Sequence, residues 1–368
     1  VLQAALDAGL YIPYLCYYPG MKSFGACRMC VVEVENMRGT PASCTTPVAD
    51  GMIVNTNTPQ IQDVRKGIVE LVVSEHPHGC ITCHRIDLCG PEDICQRHVS
   101  VNDRCVLCPK NERCELKDTT RYVGTGLTTP LTYNYRELPV LNKDPFYDMD
   151  YNLCIVCGRC VRACEELRGD SAITFTERAG VSLVGPAQGD SLLESGCEFC
   201  GSCIDVCPVG ALVETEYKWE KAVDRVSTTC PHCPVGCQLK LEVDKRGRVI
   251  RSIPELEAEA NHGQACFKGK FGLGFINSKS RLKSPLIRRN GSLEEASWDE
   301  AIKFVADNLD KYKTGEFMAI GSYRGTNEEN YLLQKFTRTV MGTNNVDHAT
   351  NTKPDMAQPL QEALGYQA

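Results

Sequence analysis

The sequence predicts a multi-domain α+β protein organised around metal centres. Three observations carry this. The chain has 368 residues, enough for two to four domains. It holds 23 cysteines, about 6% of its residues and several times ordinary usage. Those cysteines fall in tight groups with two-residue gaps, among mixed helix and strand signals.

Composition excludes several classes. Lysine and arginine number 40 against 47 acidic residues, a formal net charge of −7, which argues against a nucleic-acid surface. Hydrophobic content is 42% and mean hydropathy is −0.25, so cores can form. No uncharged apolar run reaches the ~18 residues of a membrane span. No basic start with an apolar follow-on marks a signal peptide. A secreted disulfide scaffold fits poorly with an odd cysteine count, a long chain and C-x-x-C pairs. Zinc is a second reading of such pairs; iron–sulfur clusters fit the full set of spacings best.

The first group is Cys16, Cys27, Cys30 and Cys44. Its middle pair sits in Phe24-Gly25-Ala26-Cys27-Arg28-Met29-Cys30, where small residues let backbone N–H groups approach sulfur. Val31-Val32-Glu33-Val34 follows as an expected strand, and the opening Val1-Leu2-Gln3-Ala4-Ala5-Leu6 is helix-like.

The second segment holds His76, Cys80, Cys83, Cys89, Cys95, His98, Cys105, Cys108 and Cys114. Cys105-x2-Cys108-x5-Cys114 repeats the spacing of Cys80-x2-Cys83-x5-Cys89, so one motif is doubled or expanded. The 23 cysteines plus one histidine make 24 ligands, or six sets of four. This favours two clusters here, His76 with Cys80, Cys83 and Cys89, and Cys95 with Cys105, Cys108 and Cys114. One cluster plus structural or zinc-binding cysteines is the alternative, and His98 competes with His76 and Cys95. Residues 121–150 carry turn signals and no cysteine, and are expected to be a connector.

Cys154, Cys157, Cys160 and Cys164 form a C-x2-C-x2-C-x3-C run, and Cys197, Cys200, Cys203 and Cys207-Pro208 repeat it. This is the two-[4Fe–4S] bacterial ferredoxin spacing, in which the fourth cysteine of each run serves the other cluster. The expected sets are therefore Cys154, Cys157, Cys160, Cys207 and Cys197, Cys200, Cys203, Cys164. The last group is Cys230-x2-Cys233-x3-Cys237-x28-Cys266. Beyond it, Ser297 with Glu300 and Thr326 with Glu329 are expected capping boxes. The helix after Ser297 is expected to pack Ala301, Phe304, Val305 and Leu309 into a core.

These motifs together resemble the large iron–sulfur subunits of the complex I and NAD-linked formate dehydrogenase family, in the molybdopterin oxidoreductase superfamily. The first group resembles its N-terminal [2Fe–2S] domain, and His76-x3-Cys80-x2-Cys83-x5-Cys89 its His/Cys3 [4Fe–4S] pattern. The resemblance implies a [2Fe–2S] ferredoxin-like β-grasp domain over 1–60, begun short of its first hairpin. A His/Cys cluster segment (61–120), the connector (121–150) and a two-[4Fe–4S] ferredoxin-like domain (151–222) follow. A further [4Fe–4S] domain (223–280) and the start of a molybdopterin-oxidoreductase-like α/β domain (281–368) complete the series. It also implies that Lys268, beside the last cysteine, lies between cluster and pterin.

One departure is decisive for chemistry. Gly325-Thr326-Asn327-Glu328-Glu329-Asn330-Tyr331 and Gly342-Thr343-Asn344-Asn345-Val346-Asp347 resemble the formate dehydrogenase catalytic domain. Such enzymes place a metal-binding cysteine or selenocysteine and a histidine about six residues later. Here His348-Ala349-Thr350-Asn351-Thr352-Lys353-Pro354 contains no cysteine. The expectation is one [2Fe–2S] and four or five [4Fe–4S] clusters, no molybdopterin on this chain, and no catalytic residue. With no dinucleotide fingerprint, NAD and flavin are expected on a partner, alongside a small [2Fe–2S] subunit and a further redox subunit at the C-terminal end. A reducing cytoplasm of an anaerobic organism is the expected setting. A catalytic formate dehydrogenase α subunit is the alternative.

Overall fold

Thr58-Pro59 shows how the sequence writes its own boundaries. The Thr58 hydroxyl accepts from the Ile61 N–H at 3.3 Å, and Pro59, lacking an N–H, takes the first helical position. The helix that follows buries Ile61, Arg65, Val69 and Val73, one residue per turn along a single stripe. The structure, a computed structural model, describes residues 1–77, 80–81, 83, 88–89, 105–125, 131–177, 181–313, 316–349 and 362. Cys95 and His98 lie outside the described residues.

The helices are α1 (Leu2–Asp7), α2 (Pro59–Val73), α3 (Glu115–Val123), α4 (Arg159–Arg162), α5 (Ser202–Asp205), α6 (Phe267–Phe271), α7 (Trp298–Leu309) and α8 (Asn327–Thr339). The first strands are β1 (Glu33–Val34), β2 (Val54–Asn55), β3 (Val140–Leu141), β4 (Tyr147–Asp150), β5 (Ile173–Thr176), β6 (Leu183–Pro186) and β7 (Leu212–Glu214). Next come β8 (Asp224–Thr229), β9 (Gln238–Val243), β10 (Val249–Pro254), β11 (Leu286–Arg289), β12 (Ser292–Glu295), β13 (Ala319–Ser322) and β14 (Val346–Ala349). The chain divides into two compact units: residues 1–226, 240–254 and 264–272, and residues 227–239, 255–263 and 273–368.

In the first unit β1 and β2 pair antiparallel with Glu33 opposite Asn55. The expected strand 31–34 is shorter than its alternation: only Glu33 and Val34 are strand, and Val31 makes a lone bridge to Ala42. Val31's carbonyl is taken by the buried Arg65 guanidinium at 2.9 Å, which ties α2 to the strand beside Cys30. The expected connector 121–150 is more structured than its turn residues suggest. α3 runs to Val123, and β3 and β4 join β7 in an antiparallel sheet ordered β3-β4-β7. Tyr147 and Met149 on β4 are buried, so this sheet walls the core. A single apolar core joins α2 (Val69, Val73), α3 (Leu116, Val123) and β4 with Cys160 on α4, Cys203 on α5, and Cys164 and Cys207 just beyond them.

In the second unit β13 and β14 pair in parallel, with α8 in the connection between them. Thr326 and Glu329 form the full reciprocal capping box at α8. At α7 only half of the expected box exists: Ser297 caps Glu300, whose carboxylate instead pairs with Arg289. The expected burial of the α7 apolar face is also corrected. Phe304 is 49% exposed and Val305 51%. Ala301, Val305 and Leu309 line an open groove with Phe336, Val340 and Met341, and no described element of that unit covers it.

Candidate metal centres

The ferredoxin-like loops are built by a repeated backbone. In the first, Val156 adopts φ +51° and Gly158 φ +72°; in the second, Phe199 adopts φ +52° and Gly201 φ +77°. Each positive-φ pair curls the chain so that a backbone N–H meets a thiol. Val156 N–H donates to Cys154 Sγ at 3.4 Å, and Phe199 N–H donates to Cys197 Sγ at 3.3 Å. The glycines then open α4 and α5. A side chain at Gly201 would strike the Lys270 stem at 2.5 Å, and one at Gly158 would strike Phe175 at 2.8 Å.

The loops bring thiols together across the repeat. Cys154, Cys157, Cys160 and Cys207 line one enclosed apolar cavity with Ile155, Val184 and Leu212. Burial pushes the Cys154 thiol up to about 11 and Cys157 up to about 12, against a partial counter-effect of Arg136 and Arg159. Cys200, Cys197 and Cys164 all act on the buried Cys203 thiol, in keeping with the second set expected from the spacing. Cys160 also feels Cys203, which places the two sets side by side.

In the N-terminal loop Cys44 feels Cys30, Cys16 and Cys27, and the Cys27 N–H donates to Cys16 Sγ at 3.4 Å. Cys16 is pulled below the usual thiol range, first by the hydrogen bond from the Cys27 thiol and, among lesser causes, by Arg162. Arg162 on α4 donates to the carbonyls of Cys16 and of Lys22, the latter at 2.7 Å, and lies 5.0 Å from the Phe24 ring centre. The N-terminal thiols are thus held against the first ferredoxin-like loop.

In the third region His76, Cys105, Cys108 and Cys114 line one cavity of about 230 Å³, together with Lys117, Leu153, Gly210 and Trp219. Cys80 lies against Cys105, and its hydrogen bond and burial together push the Cys105 thiol upward. Cys83 and Cys89 are half-buried and do not line the cavity. Lys110 joins this segment to the next: its Nζ donates to the carbonyls of Ile204 at 2.9 Å and Cys207 at 2.6 Å. Glu115 N–H reaches Pro208 O at 2.9 Å.

For the last group, Cys230 and Cys237 belong to the second unit, where the Cys230 N–H donates to the Cys237 carbonyl at 2.8 Å. Cys233 is exposed. Cys266 falls to the first unit, exposed, as the residue opening α6. Lys268 is exposed in α6. Lys270, one turn on from Cys266, is buried. Its ammonium pairs with Asp205 at 2.5 Å and Glu214 at 3.4 Å and donates to Ser252 O at 2.9 Å. The sequence motifs do not single out Lys270, Lys110, Arg159 or Arg162. A signal was present, since each charge lies within four residues of a grouped cysteine, but surface and buried charges look alike in sequence.

These donors fit iron–sulfur clusters. Sets of thiols converge on apolar interiors, where uncompensated thiolates are costly and iron supplies the opposing charge. Among the described residues no three His, Cys, Asp or Glu side chains form a preformed shell for a single ion. The fit therefore rests on the grouping of the thiols and on their burial.

Comparison with known proteins gives the class. Four family models match in sequence order. They are a 2Fe-2S iron–sulfur cluster binding domain (1–59), the NADH-quinone oxidoreductase subunit 3 ferredoxin-like domain (144–213), the molybdopterin oxidoreductase Fe4S4 domain (223–278) and molybdopterin oxidoreductase (281–367). This is the domain series of the large iron–sulfur subunits of the complex I and NAD-linked formate dehydrogenase family. More particularly, the chain is 35% identical to an NADH-quinone oxidoreductase subunit of Rhizobium meliloti, over 94% of this chain and 38% of that protein. It is 31% identical to the NADPH-Fe(3+) oxidoreductase subunit alpha of Geobacter sulfurreducens, over 99% of this chain and 40% of that protein. A putative formate dehydrogenase of Staphylococcus aureus is 29% identical over 95% of this chain and 37% of its own length. The chain thus spans about two fifths of the relatives it matches.

Proposed function

We propose that this chain is the electron-transfer part of an NADH-linked oxidoreductase complex. It holds one [2Fe–2S] and four or five [4Fe–4S] clusters and contributes no catalytic residue. The observation that carries this is the adjacency of separate thiol sets: Cys160 beside Cys203, Lys110 spanning from the Cys108 loop to the Cys207 carbonyl, and Arg162 from α4 to the Cys16 carbonyl. Such clusters supply one-electron exchange at potentials set by ligands, charge, hydrogen bonds and burial. The protein's own part is to hold the thiols, exclude water and fix the surrounding charge.

On this reading a flavin- and NADH-binding subunit and a small [2Fe–2S] subunit meet the N-terminal end, and a further redox subunit meets the C-terminal end. The setting is a reducing cytoplasm in an anaerobic organism. Among the described residues no helix is long and apolar enough to cross a membrane. Lys268 is the residue proposed to face a pterin or a later redox centre; its exposure leaves the ammonium accessible.

The second reading, a molybdenum or tungsten formate dehydrogenase α subunit, is supported by the name of the Staphylococcus relative, a putative formate dehydrogenase, and by the match over 281–367. The segment after Asp347 lacks the expected cysteine, which favours the conduit. An anaerobic count of iron, sulfide, zinc, molybdenum and tungsten on the intact complex tests both. The conduit reading expects iron and sulfide filling five or six clusters per chain, with little zinc. Stoichiometric molybdenum or tungsten bound to this chain would replace it with the second reading.

A further inference from the structure

We infer that Arg162 is the counter-charge of the N-terminal centre at Cys16, Cys27, Cys30 and Cys44, so that this centre's potential is set from a helix that holds part of a different one. This rests on the cluster-bearing reading above. Arg162 sits at the end of α4, the helix of Cys160, a thiol of the first ferredoxin-like set. Its guanidinium reaches across to the chain at 16–24. One arm donates to the Cys16 carbonyl and the other to the Lys22 carbonyl at 2.7 Å.

The two arginines of α4 differ in their partners. Arg159 is neutralised: Glu115 accepts from both its arms, at 2.7 and 2.8 Å, and the Tyr14 and Tyr18 rings flank it at 5.8 and 5.6 Å. Arg162 is also buried, at 6% exposure, yet among the described residues no carboxylate pairs with it. Glu166, on the next turn, accepts instead from the Lys22 N–H at 2.8 Å. A guanidinium stays charged at any ordinary pH, and among neutral carbonyls a buried cation needs an anion nearby. The thiolates of a [2Fe–2S] centre supply one. The Cys16 thiol is pulled downward first by the Cys27 thiol and, among lesser causes, by Arg162. In the first ferredoxin-like set burial dominates, and the cations that act are Arg136 on Cys154 and Arg159 on Cys157.

The contact is closed to water. The Phe24 ring centre lies 5.0 Å from the guanidinium, and Phe24 stacks on Phe175 with 6.4 Å between ring centres. Both rings lie against Gly158, where a Cβ would meet Phe175 at 2.8 Å and Phe24 at 3.1 Å. Met21, Ala163 and Val206 form a small apolar core at the same contact. A charge held there is screened little. The centre gains one negative charge on reduction, so a fixed cation favours the reduced form and raises the potential. The N-terminal centre is thereby tuned from outside its own stretch of chain.

The test is an EPR-monitored redox titration of the intact complex, with iron and sulfide counted in each preparation. Arg162→Met keeps the stem and removes the charge. It should disfavour reduction of the [2Fe–2S] centre about tenfold, or about 59 mV for one electron, and move the [4Fe–4S] potentials less. Arg162→Lys keeps the charge and should hold the potential to within about threefold, although an ammonium cannot reproduce the planar two-arm grip. The shift in Arg162→Met should persist in high salt, because the charge is buried. An unchanged [2Fe–2S] potential in Arg162→Met would overturn the inference. So would equal shifts in Arg162→Lys and Arg162→Met, since lost packing and not lost charge would then be the cause. A larger shift at a [4Fe–4S] centre would overturn it too, by giving the charge to the set that α4 itself carries. If Arg162→Met takes up no iron, Arg162→Gln, which can still donate to one carbonyl, carries the same expectation. Wild-type complex without iron would instead defeat the conduit reading itself.

Discussion

The two ferredoxin-like loops share one backbone and differ in charge. Around Cys154, Cys157, Cys160 and Cys207 the neighbours are cationic. Arg136 donates to the Cys154 carbonyl at 2.8 Å and Lys110 to the Cys207 carbonyl at 2.6 Å, while Arg159, which donates to the Val206 carbonyl at 3.2 Å, is paired with Glu115 at 2.7 Å. Around Cys164, Cys197, Cys200 and Cys203 the charges felt are acidic: Asp170 acts on Cys164 and Cys197, and Asp205 on Cys203. Lys270 is close by, but Asp205 and Glu214 neutralise it. A duplicated ligand frame thus fixes where electrons sit, and unduplicated side chains fix how readily they arrive. Positive surroundings stabilise the reduced, more negative form, so the first set should have the higher potential.

The sharpest way to break this contrast is at Lys270. Lys270→Met keeps the stem against Gly201 and removes the charge, leaving Asp205 buried without its cation and Glu214 with Arg113 alone. Removing one partner of a buried pair costs about 3–5 kcal/mol, so the midpoint of thermal unfolding should fall by several degrees. The Cys164/Cys197/Cys200/Cys203 set should be the first to lose iron. Wild-type stability in Lys270→Met would mean that the acidic side is not balanced as described.

Glu214 gives a pH test of the same network. Burial alone would raise its carboxyl, but Lys270 and Arg113, the latter 2.7 Å away, outweigh it and hold the group well below the usual 4.5. A carboxyl with a depressed folded pKa adds stability above its unfolded pKa and loses it as pH falls toward the folded one. The gap in unfolding free energy between wild type and Glu214→Gln should be constant from pH 8 to about pH 5 and narrow below about pH 4.5. A gap that widened on acidification would refute the sign.

These charges mark the line between what sequence reveals and what it conceals. The ferredoxin-like loops were legible because cluster chemistry demands cysteines at fixed short spacing, and the fold shows the same backbone at 154–158 and 197–201. The capping box at Thr326 was legible for the same reason, being local. His76 stands near Cys80 in sequence, while in the fold it also lines a cavity with residues far along the chain, from Cys105 onward, which spacing cannot show. The strands at 140–141 and 147–150 were hidden by Pro139 and Pro145: they pair with each other, and the partner that places 147–150 in a sheet lies far along the chain at 212–214. Ala301, Phe304 and Val305 have core spacing, yet the described fold leaves them open.

Single charges near each thiol set sharpen the comparison further. One charge at roughly 8–15 Å with an effective dielectric of ~20 is worth about 1–2 kcal/mol, or roughly 40–90 mV for one electron. Arg136 is half-buried and also donates to the Tyr151 and Asn152 carbonyls at 2.6 and 3.1 Å, which keeps it in place. Arg136→Gln should lower the potential of the Cys154/Cys157/Cys160/Cys207 set by an amount in that range in an EPR-monitored titration, without moving its neighbour comparably.

Asp170→Asn should do the reverse at the second set, and by less. Asp170 is half-buried on the segment after Cys164, and its carboxylate accepts from the Glu198 N–H at a long 3.5 Å, so water screens much of its field. Asparagine keeps an acceptor for that N–H, which makes the change chiefly one of charge. The second set's potential should rise by less than Arg136→Gln lowers the first, and the difference should shrink in high salt. A rise that ignored salt would place the carboxylate's field inside the protein. Equal shifts in both sets would mean that the charge asymmetry does not separate them, and that their potentials are set by the ligand frame they share.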